Sequence, residues 1–469
     1  MATYYVSKDG DDDANDGLSV ASAWSKIRTA WLRASTDDTI YVLSGTYSDS
    51  IPFNANRSGT MVSAYPGLNK NDVVLEASGT TQAVYFHRYN RLKGITVRRG
   101  AATSYIIHIE DGCEIEDCVF SGSSGREGTS HIMEIKGIYN KGVNPPALVK
   151  RCVFIGDATS SLKNGHAITT TSAGQTNFRI ESSVFYDISY MGIHSYEMTT
   201  DSSTYPLNSE VHNCTFYNVG HNGGSEYTNP IVYAGKIFNC IATYSNASKG
   251  IWAGRSFDGS GTHAYNMVWD IGRKTSGGPT WHYSSSTGNG VADGEPRQTQ
   301  KGPGDLDGSD ISSDTSATTA SIFNDPDRRF EPSIGYMAFS PPDDSGYTLG
   351  RGRWSTELGT AAHGEVTGTI DRLDIRKYPF DSDAIPCGAF AWWKYLDTGS
   401  CPEYLPDHTI NVANCVTKEH KRNVDQVPLS RTVRGPASLR LRTTAYQVNA
   451  NTTRHTTGKN DKIAPPWQS

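Results

Sequence analysis

Short apolar stretches, each followed by polar turn residues, recur along this chain. The clearest is a six-residue phrase in seven copies: LKGITV, IEDCVF, VKRCVF, IESSVF, VHNCTF, IFNCIA and AYNMVW, which begin at residues 92, 115, 149, 180, 211, 237 and 264. The fourth and sixth residues of each copy are two apart, so both side chains lie on one face of a strand. Val, Ile, Phe and Tyr between Gly, Ser and Asn turns therefore predict strands, and no paired helical segments are expected.

The spacing of the copies predicts how these strands are arranged. Successive fourth residues are 23 to 34 positions apart, and a period in this range with variable insertions is typical of a solenoid. Parallel rungs stack about 4.8 Å apart, so equivalent side chains form columns along the axis. We expect three columns, one from each of the first, fourth and sixth positions. The first contains Leu92, Ile115, Val149, Ile180, Val211, Ile237 and Ala264; the second, of small residues, Ile95, Cys118, Cys152, Ser183, Cys214, Cys240 and Met267; the third, which is largely aromatic, Val97, Phe120, Phe154, Phe185, Phe216, Ala242 and Trp269.

Two further predictions concern the residues of this repeat. Asn213, Asn239 and Asn266 precede the fourth position in three successive copies, which indicates an asparagine ladder at a turn. The cysteines of the small column are interpreted as buried free thiols, because free Cys behaves as a small apolar residue. No disulfide and no metal site is expected, since no C-x-x-C pair occurs and no His accompanies the column.

The two ends of the repeat have their own patterns. Residues 21–34 place Trp24, Ile27 and Trp31 at helical spacing, which predicts a helix that covers the open edge of the solenoid. The acidic run DGDDDANDG (residues 9–17) resembles a calcium loop only loosely, because it lacks a closing Glu, and is interpreted as a structural turn.

The opening of the chain resembles that of the right-handed parallel β-helix proteins of the pectate-lyase-like superfamily. The similar features are a Tyr-Val-Ser start (residues 5–7), an Asn-Asp-Gly turn (15–17), a short helix, an Asp-Thr-Ile-Tyr-Val strand (38–42) and a Gly-Thr-Tyr turn (45–47). The segments FNDPDRRFEP, SPPDDSGYTLG and IPCGAFAWW resemble the family's closing rung and terminal strand. The resemblance covers roughly residues 4–393 and implies an all-β, right-handed, single-stranded parallel β-helix with an N-terminal capping helix. It implies little about function, because lyases, glycosidases, epimerases, adhesins and phage tailspikes share this fold.

These patterns divide the chain into five segments. They are an N-terminal cap (1–38), the β-helix coils (39–272), a Gly/Ser-rich loop segment (273–320), the final coils and terminal strand (321–393) and an extended basic C-terminal arm (394–469).

Composition and charge change this picture in one respect. The 469 residues carry a net charge of −6, but residues 401–469 contain ten Lys/Arg and only five Asp/Glu. A basic arm beside an acidic body predicts docking on an acidic surface, with an ordinary solvated tail as the alternative.

No stretch of about 18 apolar residues and no signal peptide is visible, so neither a membrane span nor a leader is expected. Weak basic patches at Gly350 and Arg434 lack interleaved aromatics, and nucleic-acid binding is not expected.

Candidate chemistry lies on the strands that open each coil. If Ile107, Ile109, Ile135, Ile168, Ile193 and Ile251 face inward, alternation places a column of polar and aromatic residues outside: His108, Glu134, Thr169, His194, Tyr196 and Trp252. The candidate catalytic residues are Glu134, His194 and Glu197, and the candidate substrate-binding residues are His108, Tyr196, Trp252 and Arg255. Two carboxylates about 5–10 Å apart could hydrolyse a glycoside. The competing interpretation is an ordinary solvated face or subunit contact. The clustered Asp that binds Ca²⁺ in the lyases of the family has no equivalent here, and neither a cofactor nor a metal is expected.

Two functions remain open at this point. The first is a bacteriophage virion protein (a spike, fibre or capsid decoration) that also binds host glycans, assembles as a homotrimer and contacts other virion proteins through its arm. The second is a secreted or virion-borne polysaccharide-degrading enzyme, a lyase or glycoside hydrolase.

Overall fold

In a computed structural model of the chain, the described residues form a parallel β-solenoid with one short helix. These residues are 1–51, 58–77, 83–99, 105–122, 131–136, 145–156, 165–170, 178–195, 209–220, 231–245, 251–253, 262–264 and 266–271. The predicted segments 273–320, 321–393 and 394–469 lie outside them. No helix within the described residues is long and apolar enough to cross a membrane.

The elements are short and follow one another closely along the chain. They are β1 (Thr3–Val6), α1 (Ile27–Arg33), β2 (Thr39–Val42), β3 (Gly45–Tyr47), β4 (Met61–Ala64), β5 (Val73–Ala77), β6 (Val84–Phe86), β7 (Arg91–Lys93), β8 (Thr96–Arg99), β9 (Tyr105–Glu110), β10 (Glu114–Glu116), β11 (Val119–Ser121), β12 (His131–Lys136), β13 (Ala147–Lys150), β14 (Val153–Ile155), β15 (Ile168–Thr170), β16 (Phe178–Glu181), β17 (Val184–Tyr186), β18 (Ile193–His194), β19 (Glu210–His212), β20 (Thr215–Tyr217), β21 (Ile231–Ala234), β22 (Lys236–Phe238), β23 (Ile241–Ser245), β24 (Ile251–Ala253), β25 (Thr262–Ala264) and β26 (Met267–Ile271).

The strands pair into three sheets, and every strand-to-strand pairing within them is parallel. The first sheet has the order β1-β2-β4-β7-β10-β13-β16-β19-β22-β25, the second β3-β5-β8-β11-β14-β17-β20-β23-β26, and the third β6-β9-β12-β15-β18-β21-β24. Each rung gives one strand to each sheet in turn, and seven complete rungs run from β4–β6 to β22–β24. The parallel solenoid predicted from the repeat is therefore confirmed.

The aromatic column is confirmed on the inner side of the second sheet. Phe120, Phe154, Phe185 and Phe216 are fully buried, and their ring centroids lie 5.2, 4.8 and 4.5 Å apart from one rung to the next. The backbone register extends this column to Val97 on one side and to Ala242 on the other. Stacked rings of this kind contribute beyond their buried area, so the column stabilises the rungs against one another.

The predicted alignment of the last repeat is wrong by one residue. Met267 pairs with Ile241 and Val268 with Ala242, so Val268 continues the aromatic column and Trp269 is opposite Thr243. In the first sheet His263, not Ala264, is opposite Ile237. The equivalent phrase is thus HAYNMV.

The small column is confirmed as a row of buried free thiols. Cys118, Cys152, Cys214 and Cys240 are each fully buried and free. Each Sγ lies 3.1–3.3 Å from the carbonyl oxygen two residues earlier, and the Ser183 hydroxyl makes the same contact at 2.8 Å. Each of these carbonyls also accepts a backbone amide, for example that of Lys150 from Asp117 and that of His212 from Ser182, so the thiol is a second, weak donor at the corner between the first and second sheets.

The corner before this column is left-handed in successive rungs. Asp117, Arg151, Ser182, Asn213 and Asn239 all have φ between 46° and 56°. The prediction of asparagines at this turn is confirmed for the last two of these, because Asn tolerates the left-handed region.

Asn266 does not belong to that ladder. It occupies the thiol column, where its Oδ1 accepts a hydrogen bond from the Cys240 amide at 2.9 Å and its Nδ2 donates to the Ile237 carbonyl. Ser183 accepts in the same way from the Cys152 amide at 3.1 Å. In these two rungs a small polar side chain takes the place of the thiol and hydrogen-bonds to the backbone of the adjacent rung.

The N-terminal end carries the helix predicted from the tryptophan spacing. In α1, Ile27, Ala30 and Trp31 are buried, and the Trp31 ring stacks on Phe86 with centroids 5.3 Å apart. Trp24 lies before the helix and forms an isolated parallel bridge with Val6.

The acidic loop holds the turns around it through its own carboxylates. Asp11 Oδ1 accepts from the amides of Asp13 and Ala14, and these two hydrogen bonds lower the pKa of Asp11. Asp16 Oδ1 accepts from the Ser22 hydroxyl and the Leu18 amide, which lower its pKa in the same way. These contacts agree with the interpretation of the loop as a structural turn.

Candidate functional site

The strands of the third sheet align the predicted outer residues in a single column. The register pairs Tyr85 with His108, His108 with Glu134, Glu134 with Thr169 and Thr169 with His194. Through β21 the same register reaches the backbone of Trp252. Ile107, Ile109, Ile135, Ile168 and Ile193 are fully buried in the core, so this column lies on the outer face of the sheet, as alternation predicts. We call these residues, from Tyr85 to His194, the outer column.

Four of the described residues in this column are buried rather than solvated. His108, Glu134, Thr169 and His194 are only 4%, 7%, 1% and 6% exposed. Tyr85 and His87 are half-buried, so the column is most accessible at the Tyr85 end. Polar groups that are this well buried require hydrogen-bond partners, which makes their contacts informative.

His108 and Glu134 form the central pair of the column. His108 Nδ1 is 2.5 Å from Glu134 Oε2. On the other side, the rings of His108 and Tyr85 stack with centroids 4.1 Å apart and planes inclined by 13°. The carboxylate and the tyrosine together fix the plane and the rotation of the imidazole.

A second imidazole–carboxylate pair lies beside the first. His87 Nδ1 is 3.2 Å from Glu110 Oε2, and the His87 ring is 5.3 Å from Tyr85. Burial, together with the smaller effects of the charges of Glu110 and Glu134, raises the pKa of Tyr85 to about 12. The Tyr85 phenol therefore stays protonated between the two acidic groups.

Three histidines stack further along the sheet. The His166 ring lies 4.5 Å from that of His131 and 5.0 Å from that of His194. Burial lowers the pKa of His194 to about 3, with a smaller contribution from His131. Burial, followed by the repulsion of its two neighbours, also holds the pKa of His166 well below its usual range. The imidazoles of His166 and His194 are thus neutral at physiological pH.

The structure brings together only part of the predicted site. It joins Glu134 to His108 rather than to His194, from which Thr169 separates it in the register. Tyr196, Glu197 and Arg255 lie outside the described residues, and Trp252 is described by its backbone alone.

Several residues of this face were missed by the reasoning from sequence. Tyr85 and His87 follow the strand alternation of VYFH, which was a usable signal, and Glu110 is two residues after His108. His131 and His166 were missed because their contacts depend on how successive coils enter the third sheet, which no local pattern contains.

The outer face of the first sheet is also charged, but its charges are arranged in pairs. Arg179 Nε contacts Glu210 Oε2 at 3.1 Å, and Lys236 Nζ contacts Glu210 Oε1 at 3.4 Å. Lys150 Nζ lies 2.6 Å from Glu114 and 3.5 Å from Glu116. Cations and anions thus alternate across rungs, and this face is best explained by cross-rung pairing.

No group of three or more His, Cys, Asp or Glu within the described ranges is arranged to hold a metal ion.

Comparisons with known proteins give limited information. No family model matches the chain. No curated protein matches it either. Similar solved structures include pectate lyase Pel9A (12% identity, 84% of this chain and 96% of that one, TM-score 0.37). Others are XylC in complex with xylose (11%, 57% and 68%, 0.35) and pectin methylesterase from carrot (13%, 50% and 74%, 0.28). At these TM-scores the similarity carries no argument about function, and the fold assignment rests on the strand pairing described above.

Proposed function

We propose that this chain is a structural virion protein of a bacteriophage, a spike, fibre or capsid decoration, that binds a polysaccharide along the outer column. The observation that supports glycan binding is the alignment of Tyr85, His108 and Glu134 in one register across three consecutive rungs. An aromatic ring next to fixed hydrogen-bonding groups is the composition expected of an oriented small-ligand site. The proposal includes a right-handed solenoid in which α1 covers the N-terminal edge.

The accessible end of the column sets where the glycan enters. Tyr85 and His87 are half-buried, whereas the later members of the column are buried. A sugar therefore contacts the Tyr85 ring, and the buried His108 stacks against that ring and holds it in place. The neighbouring strands hold these side chains rigidly, because Ile107, Ile109 and Ile135 anchor them in the core.

Binding is tested by replacing Tyr85 with Ala and measuring retention on immobilised polysaccharides extracted from candidate host cells. We expect loss of retention, with Tyr41→Ala as the matched control, since Tyr41 packs against Tyr5 and Tyr65 on the first sheet. Equal retention of both variants and the unaltered chain would exclude the outer column as the binding face.

A polysaccharide-degrading enzyme is the second candidate, and the His108–Glu134 pair is the observation that favours it. A carboxylate that orients an imidazole is an arrangement used in general acid–base catalysis. Release of new reducing ends or unsaturated products from a retained polysaccharide, abolished by Glu134→Gln, would establish an enzyme. Retention without cleavage supports the structural role.

Assembly and location belong to the same proposal. We expect a homotrimer in the virion, with the basic segment 394–469 docked on a neighbouring subunit or on another virion protein. Mass spectrometry of purified particles tests the location. Truncation after Trp393, followed by light scattering and measurement of incorporation into particles, tests the arm; unchanged assembly and incorporation would show that the arm is not the docking element.

A further inference from the structure

We infer that His87, oriented by Glu110, is the side chain that hydrogen-bonds a glycan hydroxyl beside the Tyr85 ring. This inference rests on the proposed glycan binding and identifies the polar contact of that site. It follows from one juxtaposition: a half-buried imidazole, held by a buried carboxylate, lies next to the accessible end of the outer column.

Two imidazole–carboxylate pairs lie on this face, and their exposure distinguishes them. The His87 side chain is 21% exposed, whereas that of His108 is 5% exposed. His108 also covers one face of the Tyr85 ring, since the two rings are nearly parallel. His87 is two residues after Tyr85, and their ring centroids are 5.3 Å apart. His108 therefore supports the tyrosine from within, and His87 is the imidazole that a ligand on the Tyr85 ring can reach.

The main chain of His87 is tied to the rungs on either side. Its carbonyl oxygen accepts a hydrogen bond from Asn90 Nδ2 at 3.0 Å and lies 2.9 Å from Cys113 Sγ, one rung later. Asn90 Oδ1 in turn accepts from the Thr60 amide, one rung earlier, at 3.1 Å. Asn90 and Cys113 are both fully buried, so the position of His87 is fixed before any ligand binds.

The chemistry of the imidazole indicates which ligand group it accepts. Glu110 Oε2 lies 3.2 Å from Nδ1, so Nε2 is the ring nitrogen that can face a ligand. With Nδ1 donating to the carboxylate, Nε2 accepts a hydrogen bond in the neutral ring and donates one in the charged ring. A hydroxyl can do either, so it matches His87 in both protonation states. A sugar offers such a hydroxyl together with an apolar face for the Tyr85 ring.

Accessibility is tested first, without a ligand, on the full chain. Diethyl pyrocarbonate transfers an ethoxycarbonyl group to an imidazole nitrogen, and mass spectrometry locates the modified histidines. We expect His87 to react several-fold faster than His108 and than the three stacked histidines, because its side chain is the more exposed. Modification of His108 as fast as that of His87 would overturn the inference, whatever the chain binds.

Contact with the glycan is tested with the polysaccharide that the unaltered chain retains in the Tyr85→Ala experiment. That polysaccharide should slow the modification of His87. His87→Phe keeps a planar ring but lacks both nitrogens, and it should weaken binding roughly three- to tenfold. The protection measurement uses the unaltered chain, so it decides the matter even where His87→Phe does not fold.

Glu110 is tested as a positioning residue. Glu110→Ala should weaken binding, and Glu110→Gln should restore most of it, because an amide oxygen still accepts from Nδ1. Glu76→Ala makes the corresponding change on β5 in the second sheet and should leave binding unaltered. Melting temperatures of these variants show whether a loss of binding reflects misfolding.

The outcomes separate this inference from the proposed function. Loss of retention in Tyr85→Ala, with full affinity in a folded His87→Phe chain or no protection of His87, would overturn the inference and leave the binding face in place. Retention of no polysaccharide by the unaltered chain would overturn both.

Discussion

The inner column of the second sheet and the outer column of the third sheet are built by the same parallel register but differ in content. Four successive rungs repeat Phe in the inner column, and their rings stack in the core. The outer column changes residue at every rung, from Tyr85 to His108, Glu134, Thr169 and His194. Both are buried except at the half-buried Tyr85, yet only the outer one contains titratable groups in specific contact.

This difference shows how a packing column in a solenoid can be distinguished from a candidate ligand site. Repetition of one residue type is explained by packing, since each copy meets an identical neighbour and the same contact is made again. Variation at a buried polar position is not explained in this way, because unlike polar groups must each find a partner. The varied column is therefore the better candidate for a ligand site, although its part from His108 to His194 was also predicted from the sequence.

The largest effect should come from the inner column. Phe154→Ala removes the ring between Phe120 and Phe185 and should lower the free energy of unfolding by about 3–5 kcal/mol. Phe154→Asp should yield no folded protein, since it buries a charge without a partner. Urea unfolding measures the first, with Leu32→Ala, an exposed residue of α1, as the control expected within about 0.5 kcal/mol. A soluble Phe154→Asp chain with an unchanged melting temperature would show that the inner column is not a buried packing contact.

The histidine stack should make stability fall in acid. The folded pKa of His194 is about 3, below its ordinary value of 6.5, so the unfolded chain binds the proton first as pH falls. Stability is thus retained above about pH 6.5 and lost towards pH 3, by roughly 1.4 kcal/mol per pH unit for this group. Between pH 6.5 and 4.5, His194→Gln should reduce the loss by about 2–3 kcal/mol.

Denaturant unfolding at several pH values measures this slope. Parallel slopes for the unaltered chain and His194→Gln would show that the stack accepts protons without loss of stability.

The sequence allowed much of the fold to be predicted, because a repeated phrase reports both period and register. Phe120 and Phe154 could be aligned since identical rings recur at one offset. The last copy was misaligned because Trp269 was matched to the aromatic position, while the structure places Val268 there and Asn266 opposite Cys240. The pairing of His108 with Glu134, rather than of Glu134 with His194, depends on which rungs are adjacent and on rotamers, which alternation alone does not specify.

A smaller effect is expected at the corner thiol column. Ser183→Ala removes the hydroxyl that accepts from the Cys152 amide and donates to the Glu181 carbonyl, and it should cost about 1–2 kcal/mol. Ser183→Cys restores the residue found in the neighbouring rungs and should cost less. Thermal unfolding of the two variants decides this, and a Cys variant as unstable as the Ala variant would show that the two donors are not equivalent.

The smallest effect concerns the paired charges of the first sheet. Lys93 Nζ lies 3.5 Å from Glu116 Oε1, and both side chains retain some exposure. Lys93→Ala should lower the free energy of unfolding by about 0.2–1 kcal/mol at low salt and by less at high salt. A loss above about 2 kcal/mol that is insensitive to salt would show that this pair contributes as a buried ion pair does, and not as a partly exposed one.

The parallel register also determines the order in which the chain can acquire structure. Each strand pairs with the one a full coil earlier, so every contact between rungs closes a loop of roughly two to four dozen residues, and a rung has no template until its predecessor is in place. During synthesis, the N-terminal rungs with α1 emerge first and can seed those that follow. A defect in an early rung should then block growth of all later ones, whereas the same defect near β24 leaves a folded stem, so the position of a lesion along the axis governs the length of the product.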